Sequence, residues 1–212
     1  MNGSAKGCRK HLVRFLCVAV AAGGLGCMSN QIKVQQSGVQ FNDRSDQIAL
    51  RAGLVIDDEA RRWVYTYKKL GVTYDFALGQ ALEADAPEAL KKSFQEVVGI
   101  AAPGSPDSDV KRVVTLKFGP GTDWKFGPVV MAANHATVEL LCEISGKNGK
   151  ALWSGSALGH ADKTAGIYGY LPGPMNSWIN KAYGRIFHDA LTDALEKLND
   201  QILTDGRKKI AG

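Results

Sequence analysis

The stretch Thr137-Val-Glu-Leu-Leu-Cys-Glu-Ile-Ser-Gly-Lys-Asn-Gly-Lys-Ala-Leu-Trp-Ser-Gly-Ser-Ala157 carries the clearest structural instruction in the chain. Val138, Leu140, Cys142 and Ile144 alternate with Thr137, Glu139, Leu141 and Glu143, the period-two pattern of a strand with one face in a core and the other toward solvent. Gly146-Lys147-Asn148-Gly149 interrupts the pattern, and Asn-Gly supplies the positive φ angles that a tight turn between antiparallel strands needs. The segment therefore predicts a hairpin with strands over 137–145 and 151–157.

The same alternation recurs upstream. Ile48, Leu50, Ala52, Leu54 and Ile56 share one face of a predicted strand that ends at Asp57-Asp58. Trp63, Tyr65 and Tyr67 predict a second strand within Arg62–Lys69, and Val114, Leu116 and Phe118 a third within Lys111–Phe118. Between these, Leu78, Leu82, Ala86, Leu90, Phe94 and Val97 recur every three or four residues from about Tyr74 onward. That is a helix face, with Pro87 expected to kink it. A long terminal helix is predicted from about Asn176 to Thr204, its buried stripe formed by Ile179, Tyr183, Ile186, Phe187, Ala190, Leu191, Ala194, Leu195, Leu198 and Ile202. Strand-rich blocks separated by two helices predict an α+β two-layer sandwich, a mostly antiparallel sheet with two long helices packed on one face. The expected organisation is a signal over 1–26, a polar flexible tether over 27–46, one α+β domain over 47–205 and a frayed tail over 206–212.

At the amino end, Lys6, Arg9, Lys10 and Arg14 precede an apolar run from Phe15 to Cys27, the layout of a secretory signal. A cysteine directly after Gly26 makes this signal resemble those of bacterial lipoprotein precursors, although the family usually has leucine three residues before the cysteine, where this chain has Gly24, and Leu25 sits one place late. The resemblance implies removal of residues 1–26, diacylation of Cys27 and acylation, palmitate included, of the new amino end. Met28, in place of the aspartate that commonly marks inner-membrane retention, implies the periplasmic side of the outer membrane. Two other readings of these residues remain: cleavage after Ala19-Val20-Ala21 to release a soluble protein, and retention of the run as a short anchor. The order of elements, with Gly-Lys-Asn-Gly-Lys-Ala-Leu-Trp-Ser in the hairpin, is similar to periplasmic lipoprotein domains related to TolB N-terminal domains and to curli-secretion and cell-wall-synthase-activating lipoproteins. That similarity carries no functional residue across.

Composition narrows the functions. The chain has 26 basic and 21 acidic residues, but four of the basic ones lie in the signal, so the mature domain has 22 against 21 and is close to neutral. Nucleic-acid binding therefore has no electrostatic support. Cys8 and Cys17 leave with the signal and Cys27 takes lipid, so Cys142 alone remains, too few for an internal disulfide or a cysteine-based zinc site. No cofactor is implied.

No catalytic set stands out. His160-Ala161-Asp162 could orient an imidazole, but a strand-end histidine beside a solvated carboxylate is the simpler reading, and His188 beside Asp189 reads as a surface residue. Cys142 reads as a small buried hydrophobe. Two regions carry more large apolar groups than an idle connection needs: Tyr168, Tyr170, Leu171, Met175 and Trp178 within 165–178, and Trp124 and Phe126, read as exposed aromatic anchors in a loop beside a strand. The function expected is that of a non-catalytic lipoprotein, anchored to the membrane and serving as an accessory or assembly factor of an envelope complex through a protein partner. The alternative is a periplasmic binder of a lipid, glycan or peptide; an enzyme centred on His160 and Asp162 is a third reading.

Overall fold

The computed structural model describes residues 28–34, 46–69, 72–102, 109–125, 133–164 and 175–212. It is an α+β fold with two sheets rather than one. The smaller sheet has the order β1-β4-β3, with β1 Met28–Ile32, β3 Tyr65–Lys69 and β4 Val72–Phe76. The larger has the order β5-β2-β6-β8-β7, with β9 on the other edge of β8. Its strands are β2 Ile48–Ile56, β5 Phe94–Gly99, β6 Arg112–Phe118, β7 Asp123–Lys125, β8 Ala133–Gly146 and β9 Ala151–Thr164. Most pairings are antiparallel, but β1 runs parallel to β4, and β2 lies parallel to both β5 and β6. The helices are α1 Asp58–Arg61, α2 Leu78–Leu90, α3 Met175–Gln201 and α4 Arg207–Ala211, with a π-helical turn, Ile202–Gly206, between α3 and α4.

The hairpin forms where predicted and runs further, to fourteen residues in each strand, with Gly149 at φ 75° in its turn. Its inward residues Ala136, Val138, Leu140, Cys142, Ile144, Trp153 and Ala157 join those of β2, β6, α2 and α3 in one core. Helix α3 crosses the hairpin closely because Gly159 has no side chain; a Cβ there would lie 2.0 Å from the Ala190 carbonyl oxygen. The helix also finishes the edge of β9. The Lys197 ammonium donates to the Leu158 carbonyl (3.0 Å), the Gln201 amide to the Ser156 carbonyl (3.0 Å), and the His160 backbone N–H to Asp193 (2.8 Å). Four residues of helix rise about 6 Å and two residues of strand about 6.7 Å, so the two spacings match along the edge. An edge whose backbone groups are taken up in this way does not template another strand.

Four expectations are corrected. The predicted helix from Tyr74 is a strand, a helix and a strand: Tyr74 pairs in β4, Phe94 and Val97 lie in β5, and α2 runs through Pro87 to Leu90. Apolar residues of two short strands happened to continue the helical spacing. The tether does not begin at residue 27, because β1 pairs along β4 and buries Ile32 and Val34 in the core. The tail does not fray: α4 buries Ile210, whose carbonyl accepts from Arg112 Nε at 2.6 Å. His188 is no surface residue. It is 2% exposed, because its place on α3 beside Phe187 and Leu191 turns it onto α2, where Nε2 meets Asp85 Oδ2 at 2.9 Å.

Candidate functional site

Among the described residues, the helices cover one face of the large sheet and much of the other face has no element packed on it. Odd-numbered residues of β8 and even-numbered residues of β9 point there, since the even positions of β8 and Trp153, Ala157 and Gly159 of β9 are the buried ones. Over β2 and the start of β6 the open face is closed by a small apolar cluster of Val55, Ile100, Val110 and Val113. Beyond it, across β6, β8 and β9, lies a shallow open concavity of about 430 Å³, lined by Thr115, Lys117, Leu141, Glu143, Ser154 and Ser156. Leu141 (37% exposed) and Leu158 (41% exposed) stand beside each other, since Leu141 pairs with Ser156, two residues before Leu158. Two exposed leucines ringed by hydroxyls and charges make an open apolar patch rather than an enclosed pocket. The rim is held by Glu139, whose Oε2 accepts from the Gly121 N–H (2.6 Å) and whose backbone N–H donates to Thr122 Oγ1 (3.1 Å), fixing the turn between β6 and β7.

Further along this face the hairpin register sets His135 opposite Asp162 and Thr137 opposite His160. His135 Nδ1 lies 2.6 Å from Asp162 Oδ1, and Thr137 Oγ1 lies 3.3 Å from His160 Nδ1. The side chains of His135 and Asp162 are 50% and 65% exposed. Sequence reasoning joined Asp162 to His160 because they are close along the chain; the strand pairing joins it to His135 instead. Among the described residues no group of three or more His, Cys, Asp or Glu is placed to hold a metal ion. Burial pushes the Cys142 thiol far above its ordinary range, which favours its protonated form.

Trp124 is a correction. It was expected as an exposed anchor, yet it is 1% exposed and lies in β7 against Phe76, Tyr183 and Phe187, with ring centroids 5.2, 5.2 and 5.1 Å away. It seals the junction of the small sheet, β7 and α3, because the register of Trp124 opposite Ala136 turns it inward. Beside it, the Tyr65 hydroxyl donates to Asp123 Oδ1 at 3.0 Å and accepts from the Trp124 N–H at 3.1 Å, tying the two sheets together. Burial and then the Asp123 carboxylate push the Tyr65 phenol up to about 12. Cys27, Phe126, Tyr168, Tyr170 and Leu171 lie outside the described residues; Met175 and Trp178 fall in the first turns of α3, with only their backbone described.

The Asp85–His188 pair was missed by sequence reasoning. Its signal was present: Asp85 shares the apolar face of α2 with Leu78, Leu82 and Ala89, where a carboxylate needs a partner.

No protein-family model matches the chain, and no curated protein matches it. In fold the chain is similar to a lipoprotein from Caulobacter crescentus CB15, with 12% identity, 74% of this chain and 91% of that chain covered, and a TM-score of 0.44. It is similar also to a minor lipoprotein from Acinetobacter baumannii (10% identity, 76% and 95% covered, TM-score 0.46). A third similarity is to a neuraminyllactose-binding hemagglutinin homolog from Helicobacter pylori (7% identity, 86% and 97% covered, TM-score 0.42). Among the described residues no helix is long and apolar enough to cross a membrane.

Proposed function

We propose that the chain is a lipoprotein of the bacterial cell envelope, held by lipid on Cys27 at the periplasmic side of the outer membrane. It acts without catalysis, as an accessory or assembly factor that contacts an envelope protein through the open sheet face around Leu141 and Leu158. The observation that carries this reading is the cysteine-terminated signal on a domain with one sheet face left open. Exposed apolar anchors inside a polar rim are the usual anatomy of a protein contact, and the near-neutral mature charge suits a protein partner better than a polyanion.

The test is a photo-crosslinking residue at Leu158 or, as control, at Asn148 on the hairpin turn, with fractionation of wild type and Cys27→Ala. Wild type is expected in membranes with an acylated amino end, Cys27→Ala in the soluble fraction, and a discrete crosslinked product from Leu158 alone. An unmodified Cys27, or membrane partitioning that survives Cys27→Ala, refutes the anchor; no product from Leu158, or the same product from Asn148, refutes the contact face. A second reading is favoured by the hydroxyls of Thr115, Ser154 and Ser156 around the concavity, which suit a glycan. Calorimetric titration with peptidoglycan fragments is then expected to give saturable heat that Ser156→Trp abolishes, and the absence of heat discards it.

A further inference from the structure

The site of the anchor and the pairing of β1 together orient the domain. Cys27 is bonded to Met28, the first residue of β1, so their Cα atoms are about 3.8 Å apart and no linker separates lipid from sheet. β1 pairs along its whole length with β4, Met28 opposite Val72 and Ile32 opposite Phe76. Asp75 holds this pairing on the outer face, its carboxylate accepting from Ser29 of β1 (3.1 Å) and Thr66 of β3 (2.7 Å). In the same register Val72 lies opposite Lys69 and Thr73 opposite Lys68, so the end of the small sheet nearest the lipid carries two lysines.

Helix α3 points the same way. Tyr183 packs on Tyr74 (6.3 Å between ring centroids) and Phe187 on Phe76 (4.5 Å), so earlier helix residues lie toward Val72 and the helix begins at the Met28 end. Its other half runs along β9 toward the hairpin turn, through Asp193, Lys197 and Gln201. The 27 residues of α3 make the molecule about 40 Å long in that direction. The turn at Lys147 and Asn148 is therefore its far end.

We propose that the domain stands on the bilayer by the end of the small sheet, with Met28, Val72, Lys68 and Lys69 at the headgroups, and that the partner of this surface is an anionic lipid surface. The proposal rests on the lipid anchor read above. It places the long axis of α3 across the gap from the membrane and the hairpin turn outward. Lys68, an exposed lysine at this end of the small sheet, adds attraction to anionic headgroups within a Debye length.

The experiment uses the lipidated chain, its acylated amino end verified by mass, in phosphatidylethanolamine–phosphatidylglycerol vesicles that carry an acceptor dye on the headgroups. A donor dye is attached at Lys68→Cys or at Asn148→Cys, both replacing exposed side chains; buried Cys142 does not compete for label. Energy transfer from position 68 is expected to exceed that from 148 at least fivefold. Ten Gly-Ser residues inserted between Cys27 and Met28 are expected to bring the two close to equality. Equal transfer from both positions of the lipidated parent, or stronger transfer from 148, overturns the orientation and leaves the anchor standing. A purified chain without lipid overturns both.

Discussion

Replacing His188 by Ala tests the reasoning about the core most directly. His188 and Asp85 are 2% and 6% exposed, and their 2.9 Å hydrogen bond is the polar contact between α2 and α3 inside an otherwise apolar interface. Removing the imidazole strands a buried carboxyl group and opens a void, and breaking such a pair costs about 3–5 kcal/mol. With a urea slope of about 2 kcal/mol per molar for a domain of this size, the unfolding midpoint is expected to fall by about 1.5–2.5 M. Asp85→Leu alone removes the partner of the buried Nε2 and is expected to lose a similar amount. The double variant Asp85→Leu/His188→Leu removes both polar groups and fills the space, so it is expected to lie within about 1.5 kcal/mol of wild type. Urea titrations followed by far-ultraviolet circular dichroism and tryptophan emission measure all four proteins. A loss below about 1 kcal/mol in His188→Ala, or additive losses in the double variant, refutes the claim that the two groups act as one buried unit.

The remaining predictions concern the edge, the helix contact and the sheet junction. The triple variant Asp193→Ala/Lys197→Ala/Gln201→Ala frees the outer edge of β9 and is expected to lose about 2 kcal/mol and to self-associate in light scattering; a monodisperse variant contradicts the protective role of the helix. Gly159→Ala drives a methyl into the backbone of α3 and is expected to lower thermal stability by at least about 2 kcal/mol in calorimetry, whereas Gly149→Ala strains only a solvent-exposed turn and is expected to cost about 1 kcal/mol. Tyr65 is expected to ionise at about 12, against 10.0 for a free phenol. The folded chain thus holds a proton that the unfolded chain releases, so this contribution is complete below pH 10 and is lost as pH rises through 12. Tyr65→Phe is expected to remove that alkaline component from stability-versus-pH curves and the late phenolate absorbance.

Local patterning was enough for some elements because the information they need is local. β2 was legible as Ile48–Ile56, and the hairpin was legible from alternation plus Asn148-Gly149, since a period of two and a turn with positive φ are properties of neighbouring residues. The stripe of α3 was legible for the same reason, over most of its length. What failed was every decision that depends on a distant partner. The β1–β4 pairing joins residues 28–32 to 72–76, and only burial of Ile32 and Val34 against the finished core makes the early segment a strand. Trp124 was assigned to the surface as an aromatic anchor of a loop and His188 by its neighbour Asp189, while their burial is set by β8 and α2.

The candidate site divides in the same way. The amino-acid order alone carried the signal-like run that ends at Cys27, the near balance of basic and acidic residues after it and the α+β class, because charge and hydrophobic period are read along the chain. The tertiary structure alone decided that Asp162 meets His135, that Leu141 and Leu158 share an open face, and that the first residues after Cys27 are built into the fold. Those are matters of strand register and of which surface another element covers, and such relations exist only once the chain has packed.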